Sequence, residues 1–292
     1  MAAKAYRLLR AVLTTAVEED KILARNPCRI RGAGEERAAE RPVLTVAQVF
    51  ELADQVGRRP VGNIRKLPAG GYRLRFARHG VRRTAPETYR TRADAARALE
   101  KMVDEGGADC DYDRRFRAMV LLATFASLRW GEVTALRRCD VDLEAGLVRV
   151  RMAFSDRRSP GSKITIAPVK SRAGRRTVGI PAVIVPALRE HMAVFVASGP
   201  GSLVFPGPKG APLRRSNFNR VSGWPRAVRA AGLEGAHFHD LRHTGNTFAA
   251  STGIGIKDLM ARMGHDSERA AMIYQHQARG LTRRSRARST LM

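Results

Sequence analysis

Acidic residues are scarce in this 292-residue chain. Its 27 Asp and Glu stand against 53 Lys and Arg, a formal net charge of +26 at pH 7. A field so strongly of one sign leaves polyanions as the favoured partners. Nucleic acid is the first candidate and an acidic membrane surface the second. A third reading assigns the arginine to a GC-rich genome, with no functional meaning. Cysteine is nearly absent: Cys28, Cys110 and Cys139 stand far apart without a CxxC pair. That spacing speaks against a zinc ribbon and a disulfide framework, and it fits a reducing cytosol. Long apolar runs are missing as well. None reaches the ~18 residues of a membrane span. The amphipathic first twenty residues lack the apolar centre of a signal peptide. The hydrophobic fraction of 44% still allows a real core.

Residues 4–23 read as one helix, because Tyr6, Leu9, Val12, Leu13 and Val17 recur at helical spacing. The Pro-, Gly- and charge-rich stretch from 26 to 42 reads as a linker. Thr45 is the expected N-cap of the next helix. Composition shifts at Arg58. Over 61–102 three short segments are separated by Pro-Ala-Gly-Gly and Arg-His-Gly turns, and Tyr72, Leu74 and Phe76 alternate with Arg73 and Arg75. Such alternation predicts strands. A helix capped by Thr91 follows. Together they make a small module of three strands and a helix, with apolar residues resting on the helix and arginines pointing outward. Residues 113–137 predict a buried helix, and the alternation between 140 and 181 predicts a short antiparallel sheet. Helices are then expected near 182–197, 216–231, 240–252, 256–263 and 268–276, ahead of a basic tail at 283–289.

Chemistry-bearing residues punctuate this second half. Arg129 ends the apolar helix in SLRWGE, with Glu132 placed to fix its guanidinium fork. Lys170 falls on or beside a hairpin turn in VKSRAGRRTV, where a flexible ammonium can reach a phosphate or protonate a leaving oxygen. His239 and Arg242, one helical turn apart in HDLRH, share a face. Arg can hold two phosphate oxygens, and His exchanges protons near neutral pH. His237, His239 and His243 could instead form a metal cluster, although no cysteine or carboxylate spacing supports one. Gly264 suits a helix C-cap, with His265 beside it. Tyr274 is a phenol in a basic setting. Taken singly, each has an ordinary explanation as a cap, a solvated hairpin lysine or half-buried packing.

As an ordered set, Arg129, Lys170, His239, Arg242, His265 and Tyr274 resemble the tyrosine recombinase (phage integrase) family. The matching motifs are SLRWGE, VKSRAGRRTV, HDLRHT, MGH and a tyrosine nine residues after that last His. The resemblance spans 42–57 and 110–277. It implies a mainly α catalytic domain with a small antiparallel sheet carrying the lysine. It further implies that Tyr274 attacks a DNA phosphate, leaving a 3′-phosphotyrosine and a 5′-hydroxyl. Arg129 and Arg242 would hold the non-bridging oxygens, Lys170 would protonate the 5′-oxygen, His239 would accept or relay the tyrosine's proton, and His265 would bond the phosphate. No cofactor or metal is required.

The 58–109 module resembles an AP2-like, arm-type DNA-binding domain, which makes Arg65, Lys66, Arg73, Arg75, Arg82 and Arg83 candidate DNA contacts. The implied layout is residues 1–25 as the last helix of a core-binding domain, 26–41 as linker, 42–57 and 110–292 as catalytic domain, and 58–109 as the insertion. The implied partners are double-stranded DNA, three further copies in a homo-tetramer and a directionality factor, in a bacterial cytoplasm at the nucleoid and away from membranes. A catalytically impaired DNA-binding remnant is the alternative, prompted by the short N-terminal region and by a tail that reads as a frameshifted end. A type IB topoisomerase-like enzyme uses similar chemistry, but the MGH motif and the arm-like module argue against it.

Overall fold

In the computed structural model the described residues are 2–34, 41–155, 165–169, 171, 173–207, 210–264, 268, 271–276 and 278. They fall into two compact units, Met1–Arg41 and Pro42–Met292.

In the first unit, helix α1 (Ala2–Glu18) stops five residues short of the expected end. Lys21 adopts a left-handed φ of 51°, which no helix continues. The following residues fold back along α1 rather than leaving it as a free linker. The Asn26 amide donates to Arg10 O at 2.9 Å and to Thr14 Oγ1 at 2.8 Å, and Ile30 N donates to the Tyr6 hydroxyl at 2.7 Å.

The second unit opens with α2 (Val46–Gln55). Thr45 and Gln48 cap it reciprocally: Gln48 N donates to Thr45 Oγ1, and Thr45 N donates to Gln48 Oε1. A two-stranded antiparallel stem, β1 (Arg58–Pro60) with β5 (Cys110–Tyr112), brackets the inserted residues. Between its strands lie β2 (Gly62–Lys66), β3 (Tyr72–Arg78) and β4 (Val81–Tyr89), an antiparallel sheet in that order. Helix α3 (Arg92–Asp104) follows, capped by Thr91. Leu74, Phe76, Ala85, Leu99 and Ala108 form a small core separate from the main one, as the alternation in β3 requires.

The main core is built around α4 (Arg115–Phe125), in which nine of eleven residues are buried, the signature of a helix surrounded by others. Periodicity predicts one helix to residue 137. It breaks instead after Phe125, where Ser127 takes φ +53°, and a short helix, α5 (Trp130–Thr134), restarts. Among the described residues two small antiparallel sheets follow rather than one. β6 (Val141–Asp142), β7 (Leu147–Val150) and β10 (Arg176–Gly179) make the first, and β8 (Met152–Ser155) with β9 (Thr165–Pro168) make the second.

Helices α6 (Val185–Val194), α7 (Arg215–Ser222), α8 (Trp224–Ala230), α9 (Phe238–Ser251) and α10 (Ile256–Met263) complete the unit, and residues 271–276 are helical again. The single helix expected over 216–231 divides at Gly223, whose φ of 64° ends α7. Asp104 and Glu100 of α3 ion-pair with Arg226 and Arg229 of α8, which ties the small module to the main body. Among the described residues no helix is long and apolar enough to cross a membrane.

Candidate active site

The break after α4 has a chemical consequence. A helix end leaves carbonyls without intrahelical partners. Here two carbonyls at the break, one in the last turn of α4 and one just past it, are taken by arginines arriving from distant elements: Phe125 O accepts from Arg262 of α10, and Ser127 O accepts from Arg242 of α9. Helix α9 comes this close because residue 245 is glycine. A Cβ there would lie 1.8 Å from Thr124 O. The backbones of α4 and α9 therefore meet at a spacing that alanine forbids.

Arg129 stands at the N-terminus of α5. Its Nη1 donates to Glu132 Oε1 at 2.8 Å, its Nη2 donates to Gly264 O at 3.0 Å, and its backbone N–H reaches Glu132 Oε2 at 2.8 Å. Its side chain is 39% exposed, whereas Glu132 is only 3% exposed. A second arginine completes the carboxylate's shell. Arg176 of β10 donates from Nη1 to Glu132 Oε1 at 3.0 Å, from Nη2 to Glu132 Oε2 at 2.8 Å, and from Nε to Arg262 O at 2.8 Å. Arg242, 3% exposed, donates to Met263 O at 2.5 Å and lies 4.0 Å from Glu132 Oε2. Three guanidinium groups thus hold three successive carbonyls, those of Arg262, Met263 and Gly264, at the end of α10. That end carries the negative pole of the helix. Gly264 turns the chain there with φ +61°, and a Cβ on it would sit 2.9 Å from Ala173 O and 3.0 Å from Arg176 Nη1.

Burial raises the Glu132 carboxyl, but the Arg176 hydrogen bonds and charge, followed by the Arg129 backbone N–H and charge, outweigh it and bring the group down to about 2. Burial, then the Arg129 charge, pushes the Arg242 guanidinium down to about 9, with Glu132 opposing the shift. Arg242 therefore stays charged at neutral pH. One carboxylate against three guanidiniums leaves the cluster positive, and that excess suits an anion such as a phosphate.

Tyr274 is 5% exposed and packs among Ala250, Leu259, Met263, Ala271 and Ala278. Its hydroxyl is 2.7 Å from His243 Nδ1. His239, four residues earlier on α9, meets the His243 ring edge to face, with centroids 4.9 Å apart. The structure therefore gathers Arg129, His239, Arg242 and Tyr274 about the ends of α9 and α10, and adds three residues the sequence reading did not place there: Arg176, Arg262 and, for the phenol, His243. Arg176 sits inside the quoted motif VKSRAGRRTV, so its neighbourhood is legible though its partner is not. Lys170 and His265 lie outside the described residues, as does the basic tail. His237 turns to Asp240 at 3.7 Å, and no three His, Cys, Asp or Glu side chains among the described residues are grouped to hold a metal.

The small sheet sorts its basic residues by register. Arg65 pairs with Arg73, Asn63 with Arg75, and Ala77 with Arg82. Alternation puts Arg65, Arg73, Arg75 and Arg82 on one face. Lys66 pairs with Tyr72 and Arg83 with Phe76, on the side that carries the apolar residues.

Residues 90–280 match the phage integrase family, and residues 60–105 match the N-terminal domain of phage integrases. The chain belongs to the phage integrase family. Within that family it is 31% identical over 283 residues to the prophage phiRv2 integrase of Mycobacterium tuberculosis, covering 97% of this chain and 60% of that one. It is 30% identical over 274 residues to the integrase of Mycobacterium phage L5, covering 93% of this chain and 57% of that one. The chain thus spans 57–60% of the length of these relatives. Among solved structures, the Tn1549 transposon integrase in complex with a circular intermediate DNA superposes with a TM-score of 0.60 at 16% identity, covering 92% of this chain and 72% of that one. At that identity the likeness establishes the phage integrase fold, mainly helical with small antiparallel sheets.

Proposed function

We propose that the chain cuts and rejoins double-stranded DNA through a 3′-phosphotyrosine on Tyr274, as a site-specific recombinase of a mobile element. The observation that carries this reading is three guanidiniums gathered at the end of α10, with a buried phenol, hydrogen-bonded to an imidazole, in the same cluster as Met263 of that end. Arg129 and Arg242 hold the non-bridging phosphate oxygens and stabilise charge as the transition state forms. Lys170 protonates the departing 5′-oxygen, His265 bonds the phosphate, and His239 exchanges protons at the site. Glu132 and Arg176 hold the two phosphate arginines in place. Rejoining is the reverse attack by a 5′-hydroxyl, so the bond energy stays in the phosphotyrosine and no nucleotide cofactor is consumed.

Residues 42–57 and 110–292 form the catalytic domain in this reading, and 58–109 form an inserted module whose arginine-bearing sheet face contacts DNA. Residues 1–25 serve as the last helix of a core-binding region, joined through 26–41. The active form is a homo-tetramer on paired sites, steered by a directionality factor.

The test is incubation with a nicked duplex that the protein selects from a random-sequence pool, followed by denaturing electrophoresis. A covalent protein–DNA adduct lost in Tyr274→Phe is the expected result. DNA binding without any adduct favours a catalytically impaired remnant. An adduct that persists in Tyr274→Phe overturns the assignment.

A further inference from the structure

The phenol of Tyr274 does not meet the histidine that the HxxR spacing singles out. It meets His243, one position beyond Arg242, and the contact is a short one at 2.7 Å to Nδ1. Three features make it more than incidental packing. The ring centroids lie 5.6 Å apart with the planes tilted by 32°, so the two rings are neighbours as well as hydrogen-bond partners. The Tyr274 ring is buried in one apolar cluster with Leu259, Met263 and Ala250, whose side chains offer the hydroxyl no oxygen or nitrogen acceptor. His243 also rides on α9 between two groups of the site: it follows Arg242 directly, and His239 packs on its ring at 4.9 Å.

We propose that His243 is the first proton acceptor for Tyr274 and sets the position of its hydroxyl, with His239 acting beyond it rather than on the phenol. This rests on the DNA-cutting reading above. In the step, the Oη–H bond breaks and the proton passes to neutral His243 Nδ1. Oη then bonds phosphorus. The P–O5′ electron pair leaves with the 5′-oxygen, which takes its proton from Lys170. On rejoining, the imidazolium returns its proton to the departing phenol oxygen. Each atom and charge is accounted for by the protein and one DNA phosphodiester. The geometry also assigns a resting state. With the Tyr274 hydroxyl as donor, Nδ1 accepts and the proton of neutral His243 sits on Nε2.

Two measurements test this on the whole chain. The first needs no DNA. Nitrogen-15 NMR of labelled histidine should show His243 in the Nε2–H tautomer, with an Nδ1 resonance that moves when Tyr274 becomes Phe. An Nδ1 resonance unchanged by that substitution overturns the contact.

The second is the single-turnover rate of adduct formation on the self-selected nicked duplex. His243→Ala, and the better-shaped His243→Gln, should each lose about 10²–10³-fold in rate with duplex affinity retained. Placing 3,5-difluorotyrosine at position 274, which acidifies the phenol, should recover much of the loss in His243→Gln. A structural defect would not respond to phenol acidity. His243→Gln at a near-wild-type rate overturns the proposal while leaving the DNA-cutting reading intact. So does a lost rate that the fluorinated tyrosine fails to restore. Absence of any Tyr274-dependent adduct from the wild-type chain overturns both.

Discussion

Glu132→Gln is the sharpest probe of the cluster. It preserves volume and one carbonyl acceptor but removes the charge that faces Arg176, Arg129 and Arg242. Two routes give its cost. The carboxyl moves from 4.5 to about 2 on folding, and at ~1.36 kcal/mol per unit that is about 3 kcal/mol. Breaking one side of a buried ion pair independently costs about 3–5 kcal/mol, because the other charge is left buried and unmatched. Glu132 and Arg176 are 3% and 4% exposed, so solvent screening does little to reduce either figure. The expected loss is therefore about 3 kcal/mol or somewhat more at pH 7, a fall in Tm of about 6–12 °C for a body of this size.

The pH dependence carries a sign. The group's pKa is depressed in the folded state, so its contribution is present above 4.5 and is lost as pH falls toward 2. Urea unfolding of wild type and variant at matched pH should show a gap that is constant near neutrality and narrows below about pH 4.5. A variant within about 1 kcal/mol of wild type at pH 7, or a gap that does not narrow in acid, would refute the electrostatic account.

Three further outcomes follow from the same geometry. Arg242→Lys keeps the charge but loses the planar fork that reaches Ser127 O and Met263 O. Adduct formation should fall about 100-fold while duplex affinity by fluorescence anisotropy changes little, and an unchanged rate would dismiss the role given to Arg242. Gly264→Ala forces a left-handed φ on alanine and places its Cβ 3.0 Å from Arg176 Nη1; a loss of about 1–3 kcal/mol is expected from chemical unfolding, and a neutral result would mean the turn can relax. Changing Arg65, Arg73, Arg75 and Arg82 to Ala together should lower the log-affinity slope against log salt by about 3–4 on a mixed-sequence duplex. Changing Lys66 and Arg83, on the other side of the sheet, should lower it by less, and equal effects per residue would discard the face assignment.

Much of this arrangement was legible locally. Thr45 and Thr91 announce their helices because an N-cap is a property of four adjacent residues. The ends of α10 fall at the expected residues, because Gly255 and Gly264 bracket a short apolar period. The break at Ser127 was not legible: the residues on both sides are apolar and neither Gly nor Pro marks the turn. What forces it is tertiary, since the freed carbonyls are held by Arg242 and Arg262 from more than a hundred residues downstream. Arg176 was hidden for a different reason. In a chain with 53 basic residues, one arginine in a strand carries no signal until the fold sets Glu132 against it. His243 was visible only as a possible metal ligand, because spacing along α9 relates it to His239 and says nothing of a phenol 31 residues on.

The three carbonyls at the end of α10 constrain how the phosphate-binding reading can be tested. Arg129, Arg176 and Arg242 each spend a donor on that helix end, and Gly264, which closes it, lies ten positions before Tyr274 in the sequence. Met263 also shares a buried cluster with Tyr274. Removing the Arg129 or Arg242 guanidinium therefore removes a candidate phosphate ligand and also loosens a helix that shares a cluster with the nucleophile. A rate loss in Arg129→Ala cannot by itself be credited to lost charge on the transition state. The two effects separate through the His243 resonance. If Arg129 acts only on the phosphate, the Nδ1 signal of the DNA-free protein stays where it is in wild type when Arg129 is removed. If α10 has shifted, the Tyr274–His243 contact lengthens and the signal moves toward its position in Tyr274→Phe. Because Arg129 is the most exposed of the three and Arg176 is sealed against Glu132, the unshifted result is expected for Arg129→Ala and the shifted one for Arg176→Ala. The reverse order would mean that the exposed arginine, rather than the buried one, holds α10 in place.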